Sequence, residues 1–132
     1  MKLLLDTHAL IWFLADPKKI PAKTLRLLER SESEVWFSSL SLWEISLKFS
    51  LGKMRLKDIT AKGLSEAAKD QDFNLITLSE QDAVGFDYLP RHLHPDPFDR
   101  MLIWQAIGRG LTLVSVEKNL DEYNRLGLKW IW

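Results

Sequence analysis

Four carboxylates stand where the chain could use them chemically. Asp6 follows the apolar run Leu3-Leu4-Leu5, and Glu44 lies a few residues beyond the β-branched and aromatic run at 35–38. Asp99 opens the helical pattern that leads into the run at 111–115, with Asp96 one turn before it, and Glu117 follows that run. If the four runs are parallel strands, ligands bind beyond their carboxyl ends, and the four acids lie at or near one edge of the sheet. No Lys or Arg stands at those strand ends to neutralise them. Gathered carboxylates repel, and burial raises the cost. A divalent cation is the usual remedy, and oxygen donors without Cys or clustered His suit Mg²⁺ or Mn²⁺.

Each acid also has a structural reading. Asp6 can cap the helix after it. Ser41-Leu42-Trp43-Glu44 fits a capping box. Asp96 before Pro97 reads as an N-cap with proline at the first helical position, and Asp99 suits the helix dipole. Glu117 fits a turn. Lys48, one turn after Glu44, is either its i,i+4 ion partner or a phosphate contact. His8 either lines the site beside Asp6 or belongs to the core or rim. His92-Leu93-His94 reads as a solvated loop, since nothing nearby completes a zinc site. The catalytic serine elbow, the dinucleotide glycine fingerprint and the P-loop are all missing. The six tryptophans read as core and interface residues, with base stacking the lesser alternative.

The elements that must position these groups alternate. Strands are expected at 2–5, 35–38, 73–78, 111–115 and 129–132. Helices are expected at 7–15, 21–30, 39–51, 60–70, 79–86 and 97–109, with Gly52 and Gly110 as stops and 91–95 as a loop. The helix at 39–51 looks buried nearly all round. The pattern is that of βαβ units: one α/β domain over 1–132, a three-layer α/β/α sandwich around a mostly parallel sheet of four to five strands.

Composition narrows the function. With 132 residues and 46% hydrophobic content the chain is one globular domain able to build a core. Lys and Arg number 18 and Asp and Glu 18, so a DNA-coating role that draws its affinity from basic excess is disfavoured. The chain has no cysteine, which excludes disulfides, Cys-ligated zinc, Fe–S clusters and thiol catalysis. The longest apolar run, 9–15, spans 7 residues, against about 20 for a membrane span. Asp6 and His8 interrupt the first apolar stretch where a signal peptide needs continuity, so a mature, cytoplasmic chain is expected.

The blocks Leu3-Leu4-Leu5-Asp6-Thr7-His8, Ser41-Leu42-Trp43-Glu44-Ile45, Leu51-Gly52-Lys53, Asp96-Pro97-Phe98-Asp99-Arg100 and Leu113-Val114-Ser115 resemble the PIN-domain ribonucleases. They look most like the VapC-type toxins of toxin–antitoxin pairs, in order and over essentially the whole chain. The resemblance implies a Mg²⁺- or Mn²⁺-dependent endoribonuclease that holds one or two ions. Its acids would fall on Asp6, Glu44, Asp99 and, where the family usually has Asp after a Thr or Ser, on Glu117 after Ser115. Asp121 is a fallback at poorer spacing, and Asp96 would be accessory. Arg100, Lys48 and the loop 91–94 would steer the backbone of single-stranded or looped RNA. A cognate protein antitoxin and a homodimer are implied, using apolar surface of the first helices around Trp12, Phe13 and Leu27.

Three other readings compete. A phosphatase would want a second Asp where His8 stands. A receiver-type domain would want paired acids after the first strand and a Lys after the last inner one, where Lys118 is only loosely placed. A non-catalytic or degenerate PIN-like regulatory domain is the third, because of Glu117.

Overall fold

The computed structural model describes residues 1–54, 59–90 and 93–132. Five strands, β1 (Lys2–Leu5), β2 (Glu34–Ser38), β3 (Asn74–Ile76), β4 (Thr112–Val114) and β5 (Lys129–Ile131), form one sheet in the order β3-β2-β1-β4-β5. Every pairing is parallel. The helices between them are α1 (Thr7–Ala15), α2 (Ala22–Glu29), α3 (Ser39–Ser50), α4 (Ala61–Asp70), α5 (Glu80–Gly85) and α6 (Pro97–Arg109).

Alternation along β1 fixes the layers. Leu3 and Leu5 point into a core shared with Ala9 and Leu10 of α1, Leu28 of α2 and Ala68 of α4. Leu4 points the other way, into a core with Ile103 and Ala106 of α6 and the fully buried Tyr123. A sheet buried on both faces is what a parallel sheet requires, and the result is the expected three-layer sandwich. Among the described residues no helix is long and apolar enough to cross a membrane.

The strand order places the site. The chain leaves β1 to one side toward β2 and β3, then crosses to the other side for β4 and β5. The order therefore reverses between β1 and β4, the position at which open α/β sheets bind ligands. Leu5 pairs with Val114, and the Asp6 N–H donates to the Val114 carbonyl at 3.0 Å. Asp6 and Ser115 thus leave adjacent strands side by side.

A buried polar chain fixes the start of α3. The Ser38 hydroxyl caps that helix at the Leu40 N–H (3.1 Å) and donates to Gln105 Oε1 (2.7 Å). Gln105 donates to Asp82, which takes both arms of Arg109 at 2.9 Å. Burial pushes the Asp82 carboxyl up, but the bonds from Arg109, Ser79 and Gln105 and the Arg109 charge outweigh it and hold it at about 2.

Several local expectations need correction. Strands β3 and β4 are shorter than 73–78 and 111–115. A 3₁₀ turn at Leu120–Leu126, which no periodicity announced, packs Tyr123 into the core. The capping box is at Ser79 and Asp82, opening α5; Ser41 lies inside α3, whose cap is Ser38. Helix α3 is not buried all round, because Trp43 is 59% exposed. None of the six tryptophans is fully buried.

Candidate metal centre

Asp6 is both a cap and a site residue. Its Oδ1 accepts from the Ala9 N–H at 2.8 Å, the first orphan donor of α1 to be satisfied. One carboxylate oxygen is enough for that bond, and the group also meets the Ser115 hydroxyl. At 3% exposure, burial pushes its pKa up to about 6. The Ser115 and Ala9 bonds and the His8 charge pull it down, and the Glu117 charge pushes it further up. His8 therefore lies within electrostatic reach of the acids, its ring against Trp12.

Asp99 sits in the first turn of α6, where Asp96 Oδ1 caps the Phe98 N–H (2.8 Å) and the Asp99 N–H (3.3 Å). Among the described residues no hydrogen bond reaches the Asp99 carboxylate. Burial is the largest cause of its rise to about 7, followed by the charges of Glu117, Asp96, Glu44 and Asp6. One group thus registers Asp6, Glu44, Asp96 and Glu117 together.

Glu117 is half-buried after β4, where its N–H donates to the Ser115 hydroxyl at 3.1 Å. Asp6, Asp99, Glu117 and Ser115 line one small cavity of about 10 Å³, backed by Leu102, Ile103, Leu113 and Leu120. That is room for about one water-sized particle. Asp121 is exposed and accepts from the Trp130 indole, so it takes no part.

Glu44 does not line this cavity. Its Oε1 accepts from the Thr7 hydroxyl at 2.6 Å, and its Oε2 pairs with Lys48. Glu44 is 2% exposed, and a carboxylate so buried needs partners. The Lys48 pKa is raised by its bond to Glu44 against burial, and then by the charges of Glu44, Asp96 and Asp99. Thr7, which sequence reasoning passed over, gives its one proton to Glu44 and so accepts from the Ser41 hydroxyl at 3.1 Å. It joins the residue after Asp6 to the helix that carries Glu44.

Arg100 is turned elsewhere: it donates to the Leu89 carbonyl (3.2 Å) and lies 4.3 Å over the Phe86 ring. The structure does not bring it to the acids. Of the loop expected to steer substrate, residues 91 and 92 lie outside the described residues, and His94 is buried rather than solvated. Among the described residues, no three acids or histidines are close enough to form a ready-made metal cage.

The sequence pattern of the PIN domain matches residues 3–126. The chain belongs to the PIN-domain family. Solved structures share the PIN fold over nearly the full length. VapBC2 from Rickettsia felis, bound to a DNA fragment from their promoter, aligns with a TM-score of 0.66 and 18% identity, covering 99% of this chain and 98% of that one. VapBC-1 from nontypeable Haemophilus influenzae aligns at 0.62 and 18%, covering 99% and 97%. A toxin–antitoxin complex from Klebsiella pneumoniae aligns at 0.55 and 17%, covering 89% and 88%. At such identities the likeness is one of fold. None of the curated proteins matches the chain.

Proposed function

We propose that this PIN domain is a divalent-metal-dependent endoribonuclease that acts in the cytoplasm as the toxin of a toxin–antitoxin pair. The observation that carries the reading is the lining of one ion-sized cavity at the sheet's switch point by Asp6, Asp99 and Glu117. Two of these carboxyls, Asp6 and Asp99, are pushed up to about 6 and about 7, by burial first and then by neighbouring carboxylates, Glu117 in both cases. Such a site favours an added positive charge, whether a proton or a cation. Its donors are hard oxygens, so Mg²⁺ or Mn²⁺ fits.

In this reading Asp6, Asp99 and Glu117 would hold the ion, and Glu44, outside the cavity, would add its negative charge at a distance, as it does at Asp99. A bound cation supplies charge neutralisation at a phosphate and a lowered pKa for an attacking water. Ser115 orients Asp6 and the Glu117 backbone, and Thr7 aims Glu44. Binding an ion would require the ionised forms of Asp6 and Asp99. Lys48, at the rim with its charge among the acids, meets the RNA backbone, and Asp96 keeps α6 in register.

The test is direct. Purified protein with single-stranded RNA is expected to cleave with Mg²⁺ or Mn²⁺, to stop in EDTA, and to resume when metal is restored. Cleavage by pure protein that persists in EDTA refutes the reading.

A protein antitoxin and a second copy of the chain are the proposed partners. Trp12, Phe13 and Leu27, expected to form the apolar surface, are half-buried against the core instead. The exposed large apolar side chains include Trp43, Leu78, Val84 (69%) and Tyr88. A groove lined by Leu40, Trp43, Leu47, Leu78, Phe86 and Phe98 among others runs between α3, α5 and α6. A contiguous patch of this kind marks a contact surface, and we assign it to the homodimer. Leu78→Glu, on the exposed wall of the groove, is expected to shift the protein from dimer to monomer in sedimentation velocity with its melting temperature unchanged. A dimer that survives this change places the interface elsewhere.

A further inference from the structure

His94 is buried at 7% exposure, and both of its ring nitrogens are engaged. Nε2 lies 3.0 Å from the Lys118 carbonyl oxygen and Nδ1 lies 3.0 Å from the Tyr123 hydroxyl. A carbonyl only accepts, so Nε2 carries the proton, and in the neutral ring Nδ1 then accepts from the phenol. The Tyr123 phenol, its pKa pushed up by burial, keeps the proton that it donates. Tyr123 is held in the core by the 3₁₀ turn Leu120–Leu126 to which it belongs.

The place of this imidazole in the fold gives it a role. Lys118 is the residue after Glu117. On its other side Glu117 is fixed through its own N–H on the Ser115 hydroxyl. His94 itself stands two residues before Asp96, the cap of the helix whose first turn carries Asp99. One side chain therefore joins the two segments that bring Asp99 and Glu117 to the same cavity. Those acids repel, and no salt bridge among the described residues ties the segments.

We propose that His94 is a positioning residue of the acidic site: its imidazole straps the segment bearing Glu117 to the segment leading into Asp96 and Asp99, and keeps their carboxylates gathered for a cation. The proposal rests on the metal-site reading above. Groups that orient metal ligands from behind typically contribute 10- to 100-fold in affinity, and a strap that keeps two ligand-bearing segments together belongs with them.

The test combines two readouts on three proteins: wild type, His94→Ala and His94→Gln, whose amide nitrogen can reach the Lys118 carbonyl. Mn²⁺ affinity is measured by electron paramagnetic resonance, and backbone exchange over 115–120 by hydrogen–deuterium exchange without metal. The expected result for His94→Ala is Mn²⁺ binding about 10- to 100-fold weaker with faster exchange over 115–120; His94→Gln stays near wild type in both. Tyr123→Phe, which removes only the hydroxyl, covers the case in which His94→Ala fails to fold, and it is expected to show the same changes in weaker form. Faster exchange with unchanged Mn²⁺ affinity makes His94 merely structural and overturns the proposal, as does no change in either readout. A wild-type protein that binds no Mn²⁺ sinks the metal-site reading instead, and the exchange data then still report whether the strap exists.

Discussion

Asp99→Asn is expected to lower kcat/KM for RNA cleavage by on the order of 10³-fold, about 4 kcal/mol of transition-state stabilisation, while making the metal-free protein more stable at neutral pH. The two effects share one cause. Asp99 lies among like charges, and its carboxyl is pushed up to about 7 by burial first and then by Glu117, Asp96, Glu44 and Asp6. Ionising it in the empty site therefore costs folding energy, which an amide does not incur. The N-cap of α6 is Asp96 rather than Asp99, so the helix start survives the change. The gain should be near zero at pH 3.5, where the carboxyl is protonated in the folded and unfolded chain alike. It should reach about 1–2 kcal/mol by pH 8, after discounting for partial exposure. Urea unfolding of both proteins at the two pH values, beside a cleavage assay, measures it. A mutant that loses both activity and stability at pH 8 would show that Asp99 serves the helix and not an ion.

The second large effect is the pH dependence of the metal-free fold. Asp6 and Asp99 have folded pKa values of about 6 and about 7 against an ordinary value of 3.8. Between pH 4 and pH 7 the native chain thus binds more protons than the unfolded chain, and stability falls as pH rises. Asp82 works in the opposite sense in a separate window. Held at about 2, it adds stability above pH 4 that disappears as pH drops toward 2. Stability without metal should therefore peak on the acid side and decline toward neutrality by on the order of 3 kcal/mol, about 10 °C in melting temperature. Saturating Mg²⁺ should abolish the decline, because the ion binds the deprotonated ligands. Differential scanning calorimetry in EDTA and in Mg²⁺ reads both curves. A metal-free curve that is flat or rises from pH 5 to pH 7.5 contradicts the proposed repulsion.

What the sequence revealed was local. Leu3-Leu4-Leu5-Asp6 could be read as a buried strand ending in a polar group because burial on both faces makes a continuous apolar run. Asp96-Pro97 announced the start of α6 through capping chemistry alone. The errors arose where a partner lies far along the chain. Ser38, Ser39 and Ser41 offer several caps, and the competition is decided by Gln105, 67 residues from Ser38, and by Thr7, 34 residues from Ser41. His94 looked solvated because its partners, Lys118 and Tyr123, are 24 and 29 residues away. A helical pattern cannot tell a core face from a rim, so Trp43 was misplaced. The acids were legible as a set because strand ends in a parallel sheet converge whatever their spacing along the chain. That Glu44 is turned to Thr7 and Lys48 follows from packing, which spacing does not encode.

Asp6, Asp99 and Glu117 are proposed to enclose a cation. Crystals grown with Mn²⁺ and measured for anomalous scattering test it most directly. A peak is expected in the cavity between these carboxylates, with oxygens at about 2.0–2.3 Å. A fully ordered site with no peak there, or with Mn²⁺ bound only elsewhere on the molecule, would contradict it.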